Sequence, residues 1–160
     1  MASPEPLHIN RPMWADLIRD LERRGLGMRE SGAFLLASSI EHPRRVVDFI
    51  PFDELDPHAL NGAISIRGEA FGRLWTICTD RGLRVVADVH THPGASVRQS
   101  TTDQRNPMIA IAGHFGVIVP RFAQKQPEPR ETGVHVYQGD RTWVSHYGEQ
   151  AAQLLRYTSW

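Results

Sequence analysis

The sequence predicts an α/β fold, a central mixed β-sheet with helices on its flanks. Three observations predict it. Apolar runs of strand length occur at 33–37, 83–89 and 114–120. Two longer segments, 12–24 and 67–80, carry apolar residues at helical spacing. The order is helix, strand pair, helix, then further strands, an alternation that lets helix layers cover a sheet.

Residues 1–11 hold two prolines and little pattern, and read as an N-terminal arm ahead of one domain, 12–160. In 12–24, Trp14, Leu17, Ile18 and Leu21 fall at i, i+3, i+4 and i+7, a narrow apolar stripe. Pro12 suits the first turn and Gly25 the position after the end. The run 33–37 reads as a buried strand. Its hairpin partner is 45–51, with Val46, Val47, Phe49 and Ile50, and His42-Pro43 sits near the turn. Residues 52–61 are polar and punctuated, hence a loop, and 63–66 reads as a short strand.

Ala70, Phe71, Leu74, Trp75 and Cys78 share one face of 67–80, and Gly82 ends that helix. The run 83–89 is a central strand. Residues 101–106 form a helical turn stopped by Pro107, and 114–120 form another strand. Two prolines and mixed charge make 124–132 an exposed loop. Residues 134–137 and 142–146 alternate around Gly139-Asp140, the pattern of a hairpin. Residues 149–157 read as a closing helix.

A length of 160 residues suits a single core. Apolar residues make up 41% and charged residues 22%, the balance of a soluble globular protein. Basic and acidic residues number 18 each, so net charge offers no case for nucleic acid or an anionic membrane. The lone Cys78 excludes an intrachain disulfide framework and fits a reducing compartment. The N-terminus lacks a basic region followed by an apolar core, and no apolar run approaches the roughly 20 residues of a membrane helix. The expected setting is the cytoplasm.

The chemistry concentrates where the strand 83–89 ends in His90-Thr91-His92-Pro93. Alternation along an extended segment puts His90 and His92 on one side. Pro93 and Gly94 turn the chain. Ser100 and Asp103 follow, three apart, on one face of a helical turn. Two imidazoles and a carboxylate can make a three-ligand zinc site whose fourth position is left for water, with that water's pKa lowered to about 7. Such chemistry also needs a proton carrier that does not bind metal. Glu30 is the candidate: it stands at the mouth of the strand 33–37, and Gly32 permits close backbone approach. The Ser100 hydroxyl is the candidate donor to an oxyanion.

Glu30-Ser31-Gly32-Ala33-Phe34-Leu35, then His90-Thr91-His92-Pro93, with seven residues between His92 and Ser100 and two between Ser100 and Asp103, resembles the JAMM motif of the JAB/MPN metalloprotease family. The likeness covers roughly residues 13–146. It implies a cytidine-deaminase-like MPN sandwich with zinc on His90, His92 and Asp103, Glu30 as general acid/base and Ser100 as oxyanion stabiliser. Family members cleave the peptide or isopeptide bond after the C-terminus of ubiquitin or a ubiquitin-like protein. Prokaryotic members act beside ubiquitin-like modifiers and their activating or conjugating enzymes, including in antiphage (antiviral) systems, and some process sulfur-carrier proteins. The resemblance therefore implies a zinc-dependent, deubiquitinase-like isopeptidase whose partners are ubiquitin-like proteins or their conjugates. Sulfur-carrier maturation is one alternative, and a non-catalytic binding module is another. Ala37 stands where the family's strand often ends in glycine. The segments 52–61 and 124–132 are short where relatives insert substrate-gripping elements.

Other residues have plainer readings. Ser100 and Asp103 also match a helix-capping signature. Asp88 shares the parity of His90 and His92 and is a candidate competing ligand or orienting group. Thr91 points away and serves packing. Cys78, His114 and His135 read as structural, Trp14, Trp75 and Trp143 as core or interface anchors, and Arg19, Arg23 and Arg24 as a solvated helix face.

Overall fold

The computed structural model describes residues 3–159. In chain order the elements are β1 (Leu7–Asn10), α1 (Arg11–Gly25), β2 (Gly32–Ser38), β3 (Val46–Pro51), α2 (Phe52–Leu55), α3 (Gly68–Arg81) and β4 (Leu83–Thr91). Then come α4 (Thr101–Arg105), β5 (Phe115–Val119), β6 (Gly133–Gly139), β7 (Thr142–Tyr147), α5 (Glu149–Leu154) and β8 (Leu155–Thr158). One sheet has the order β3-β2-β4-β5-β6-β7. Its β4–β5 pair is parallel and the other pairs are antiparallel, so the sheet is mixed, as the alternation of elements predicts.

β2 shows why the sheet needs cover on both sides. Ala33, Leu35 and Ala37 join one apolar cluster with Leu17, Ile18 and Leu21 of α1. Phe34 and Leu36 point the other way, to Phe52 of α2 and Leu74 of α3. Burial on both faces explains a strand that reads as a continuous apolar run. α1 begins on Asn10, whose side chain accepts from the Met13 N–H at 2.8 Å, with proline in the first turn. It ends on Leu26 in the left-handed region. Cys78 is buried on α3, as expected of a core thiol.

Four expectations are corrected. The described part of the N-terminal segment is built into the domain rather than standing ahead of it as an arm. Leu7 and Ile9 are fully buried, and β1 pairs in parallel with β8; Met1 and Ala2 lie outside the described residues. The closing helix stops at Leu154, and Leu155–Thr158 becomes β8. A six-residue helix has little stability of its own, whereas Leu155 gains both burial and a strand partner in Leu7. The expected loop 52–61 contains α2, and Phe52, Leu55, Ala59 and Leu60 are buried, an i, i+3, i+7, i+8 stripe masked by the acidic residues and proline between them. Residues 63–66 form no strand, and their backbone is tied down by Ser65 N–H donating to the Ala59 carbonyl.

Trp14 is core, and its indole N–H reaches the Pro127 carbonyl at 3.0 Å, which pins the 124–132 segment. Trp75 instead is 45% exposed on α3. Arg24 is no solvated residue: its guanidinium pairs with Asp20, Asp53 and Glu54 and ties α1 to α2. Among the described residues no helix is long and apolar enough to cross a membrane.

Candidate metal centre

β2 and β4 run side by side, with Gly32 opposite His90. Just before β2, Ser31 is held three ways. Its N–H donates to Thr91 Oγ1 at 3.0 Å, its carbonyl accepts from Thr91 N–H at 2.9 Å, and its hydroxyl donates to the Leu21 carbonyl at 2.7 Å. Thr91 thus supports backbone, as its parity predicts, and the clamp places Glu30 beside His90. Gly32 is there for space. A Cβ at that position would lie 2.3 Å from the Phe52 ring and 2.6 Å from the Val89 carbonyl oxygen.

His90 is the second-last residue of β4, and His92 N–H continues the pairing by donating to the Val119 carbonyl at 2.9 Å. The loop to Ser100 is fastened from β6. His135 Nε2–H donates to the Val97 carbonyl at 2.9 Å, so Nε2 carries the hydrogen and Nδ1 takes the Ser145 hydroxyl at 2.7 Å. Burial lowers the His135 pKa and favours that neutral form. Ser100 then caps α4 in a reciprocal box with Asp103. The Trp143 indole N–H holds α4 from β7, donating to the Gln104 carbonyl at 3.1 Å.

The result is convergence. Glu30, His90, His92, Ser100 and Asp103 all line one cavity of about 430 Å³. His90 Nε2 and His92 Nε2 are 3.2 Å apart, His92 Nε2 and Asp103 Oδ2 3.2 Å, and His90 Nε2 and Asp103 Oδ1 3.6 Å. Ligands about 2.0–2.2 Å from a tetrahedral ion lie roughly 3.3–3.6 Å from one another, close to the separation of the two imidazole nitrogens and of each nitrogen from an Asp103 oxygen, Oδ2 for His92 and Oδ1 for His90. Glu30, His90 and His92 likewise each offer a donor atom within 4.8 Å of the others, a cluster that could hold a metal ion. His92 Nδ1 lies 3.3 Å from the Ser96 carbonyl, which can only accept. That puts the hydrogen on Nδ1 and turns the Nε2 lone pair to the centre, the usual arrangement of a metal-bound histidine. The donor chemistry therefore fits zinc, which takes imidazole nitrogen and carboxylate oxygen.

The electrostatics agree. Burial pushes the Asp103 carboxyl up, but hydrogen bonds to His90 and His92, the His90 charge and the Ser100 N–H outweigh it and hold Asp103 far below the usual carboxylate range. Burial pushes His92 down, and the Asp103 carboxylate, with Glu30 and the Ser96 carbonyl, lifts it above its ordinary value. The centre is a place where the Asp103 carboxylate stays ionised and positive charge is welcome.

Residues 11–134 match the family of prokaryotic homologs of the JAB domain. The chain belongs to the prokaryotic JAB family. This JAB domain is similar to a solution structure from Desulfitobacterium hafniense, with a TM-score of 0.62 at 14% identity over 88% of this chain and 90% of that one. It is also similar to one from Salinibacter ruber, with a TM-score of 0.59 at 17% identity over 88% of each. A JAB1/MPN domain protein from Archaeoglobus fulgidus matches with a TM-score of 0.48 at 16% identity, over 89% of this chain and 95% of that one. At these identities the likeness is one of fold.

The lining of the JAB domain's cavity also takes in Asp88, His135 and Trp143. Asp88 does line the cavity, but its carboxylate meets neither motif histidine: Oδ2 accepts from His114 Nε2–H at 2.7 Å, both side chains buried. His114 and His135 are structural as expected, yet His135 also steadies the loop that carries Ser100. Trp143 is a cavity wall rather than core. Strand parity marks Asp88; nothing local to residues 114, 135 or 143 says which partner awaits them across the sheet.

Proposed function

We propose that this JAB domain is a zinc-dependent peptidase or isopeptidase that hydrolyses the bond after the C-terminal tail of a ubiquitin-like protein. The observation that supports it is the meeting of Glu30, His90, His92, Ser100 and Asp103 around one cavity. His90, His92 and Asp103 would hold the ion. Zinc, when bound there, supplies Lewis acidity, which makes water a nucleophile near neutral pH and polarises a carbonyl.

The remaining steps belong to the chain's own groups. Glu30, beside the two imidazoles, takes a proton from the attacking water as its oxygen bonds to the scissile carbonyl carbon. It then returns that proton to the nitrogen as the C–N bond breaks. Ser100 Oγ accepts from the Asp103 N–H, so its own hydroxyl hydrogen is free to donate to the carbonyl oxygen as negative charge develops there. An extended tail would lie along the sheet beside the site as an added strand. The natural partners are then ubiquitin-like proteins, their conjugates, and the enzymes that activate or conjugate them.

The test is hydrolysis of a fusion in which a Gly-Gly tail precedes the cleaved bond. The native protein should cut it, lose activity on chelation and regain it with zinc. Absence of stoichiometric zinc in the native protein, or cleavage that chelation does not touch, overturns the reading.

A further inference from the structure

The cavity extends from the metal centre along β4 to a second polar floor. Asp88 and His90 are two residues apart on the same face of the strand, about 7 Å along it. The Asp88 side chain is only 9% exposed and lines the cavity. One oxygen is committed to His114. The other, Oδ1, takes no hydrogen bond among the described residues, although an ionised carboxylate offers about four acceptor positions. Oδ1 is not among the buried polar atoms left without a partner, so it stands open to the cavity, where a donor from a ligand can reach it.

Opposite stands Trp143, fixed by its hydrogen bond to Gln104 and by the Tyr137 ring, whose centroid is 4.8 Å away. Gly116 lies between them. A Cβ on Gly116 would be 3.7 Å from Trp143 Cζ3 and 3.9 Å from Asp88 Oδ1, ordinary contact distance from both. A single methylene- or ammonium-sized group therefore spans the gap, and glycine leaves it open.

We infer that Asp88, Gly116 and Trp143 form a subsite for a cationic side chain, the lysine ammonium or arginine guanidinium of a substrate residue within two positions of the scissile bond. The carboxylate receives the charge and the indole receives the methylenes or the cation itself. This deepens the proposed peptidase reading and rests on it for the word substrate.

The experiment separates binding from cleavage. Gly/Ala hexapeptide amides carrying lysine, arginine, norleucine or glutamate at each position in turn are titrated into zinc-loaded Glu30→Gln protein, with the Trp143 indole N–H resonance followed by NMR. At one position, lysine and arginine peptides should bind at least tenfold tighter than the norleucine peptide and perturb that resonance, and glutamate should bind weakest. Asp88→Asn, which keeps an acceptor for His114, should reduce the preference below twofold. Gly116→Ala adds a methyl that meets nothing closer than 3.7 Å, so it should fold normally and close the subsite. Equal binding of norleucine and lysine peptides, or a preference that survives Asp88→Asn and Gly116→Ala, overturns the subsite. If the peptidase reading alone is wrong, the cation preference persists in binding while native protein cleaves none of the peptides.

Discussion

Ser100 and Asp103 cap one another: the Asp103 N–H donates to Ser100 Oγ at 3.0 Å, and the Ser100 N–H donates to Asp103 Oδ2 at 2.9 Å. One pair of side chains thus starts α4, aims a carboxylate at two imidazoles and leaves a hydroxyl hydrogen unspent. Ser100→Ala removes the cap and the donor together. Turnover should fall about 10²–10³-fold. Losing the cap should cost about 1 kcal/mol, a drop of a few degrees in thermal midpoint. Steady-state rates at matched zinc occupancy and calorimetry read the two effects separately. A rate within a factor of about three of native would remove Ser100 from the chemistry.

Asp103 and Glu30 are both carboxylates at the centre, and substitution should tell them apart. Asp103→Asn keeps an oxygen for the Ser100 N–H but loses the charge facing His90 and His92. Zinc affinity should fall by at least about a hundredfold. Glu30→Gln should hold zinc as tightly as native protein while hydrolysis falls about 10²–10⁴-fold. Competition with a chromophoric chelator measures the first and a fusion-cleavage assay the second. Comparable zinc loss in Glu30→Gln would make Glu30 a ligand, the His-His-Glu arrangement that the donor distances also permit.

Gly32 packs against Phe52 and the Val89 carbonyl with no room for a methyl group. Gly32→Ala must therefore push β2 off β4 or displace the ring. It should destabilise the fold by about 1–3 kcal/mol and weaken zinc binding, because His90 lies opposite Gly32. Gly72 in α3 has open space where its Cβ would be. Gly72→Ala should stabilise by about 1 kcal/mol through helix propensity. Thermal melts of the two variants should move in opposite directions.

Asp56 is the focus of a pH-dependent brace. Arg67 donates to it from the backbone N–H at 3.1 Å, from Nε at 3.0 Å and from Nη2 at 3.1 Å. These contacts, the Arg67 side chain first, lower the Asp56 pKa to about 2. In the unfolded chain an aspartate titrates near about 3.9. Between those values the unfolded state binds the proton and the folded state does not, so this contribution is complete above pH ~4 and drains away as pH falls toward ~2. Denaturant midpoints from pH 7 to 2 should therefore drop less for Asp56→Asn than for the native protein. An identical acid limb in both would show that the brace carries no such linkage. The segment so braced includes Ala63 and Ile64, which form part of the cavity wall.

Much of this architecture is local and so can be read along the chain. The stripe on α1, the two-sided burial of β2 and the parity of His90 and His92 each depend on neighbours a few residues away. Patterns of period 3.6 and 2 survive in a one-dimensional text because backbone geometry creates them. The His-x-His, Ser and Asp spacing is legible for the same reason: strand alternation and one capped helical turn set those relative directions. The burial of Phe52, Leu55, Ala59 and Leu60 is harder to read, because α2 stops at Leu55 and the Asp56 that follows is itself buried against Arg67.

Pairings between distant segments were not legible. Leu7 meeting Leu155, His114 meeting Asp88, and His135 holding the loop that carries Ser100 join residues 148, 26 and 38 positions apart. No periodicity encodes which buried donor will face which buried acceptor, since that depends on strand order and on how the sheet packs. The zinc-ligand candidates could thus be named from the chain itself. That Glu30 reaches them, and that a carboxylate, a glycine and a tryptophan from three different strands enclose the space next to them, follows from the β3-β2-β4-β5-β6-β7 order alone, because side chains far apart along a chain become neighbours only when their strands do.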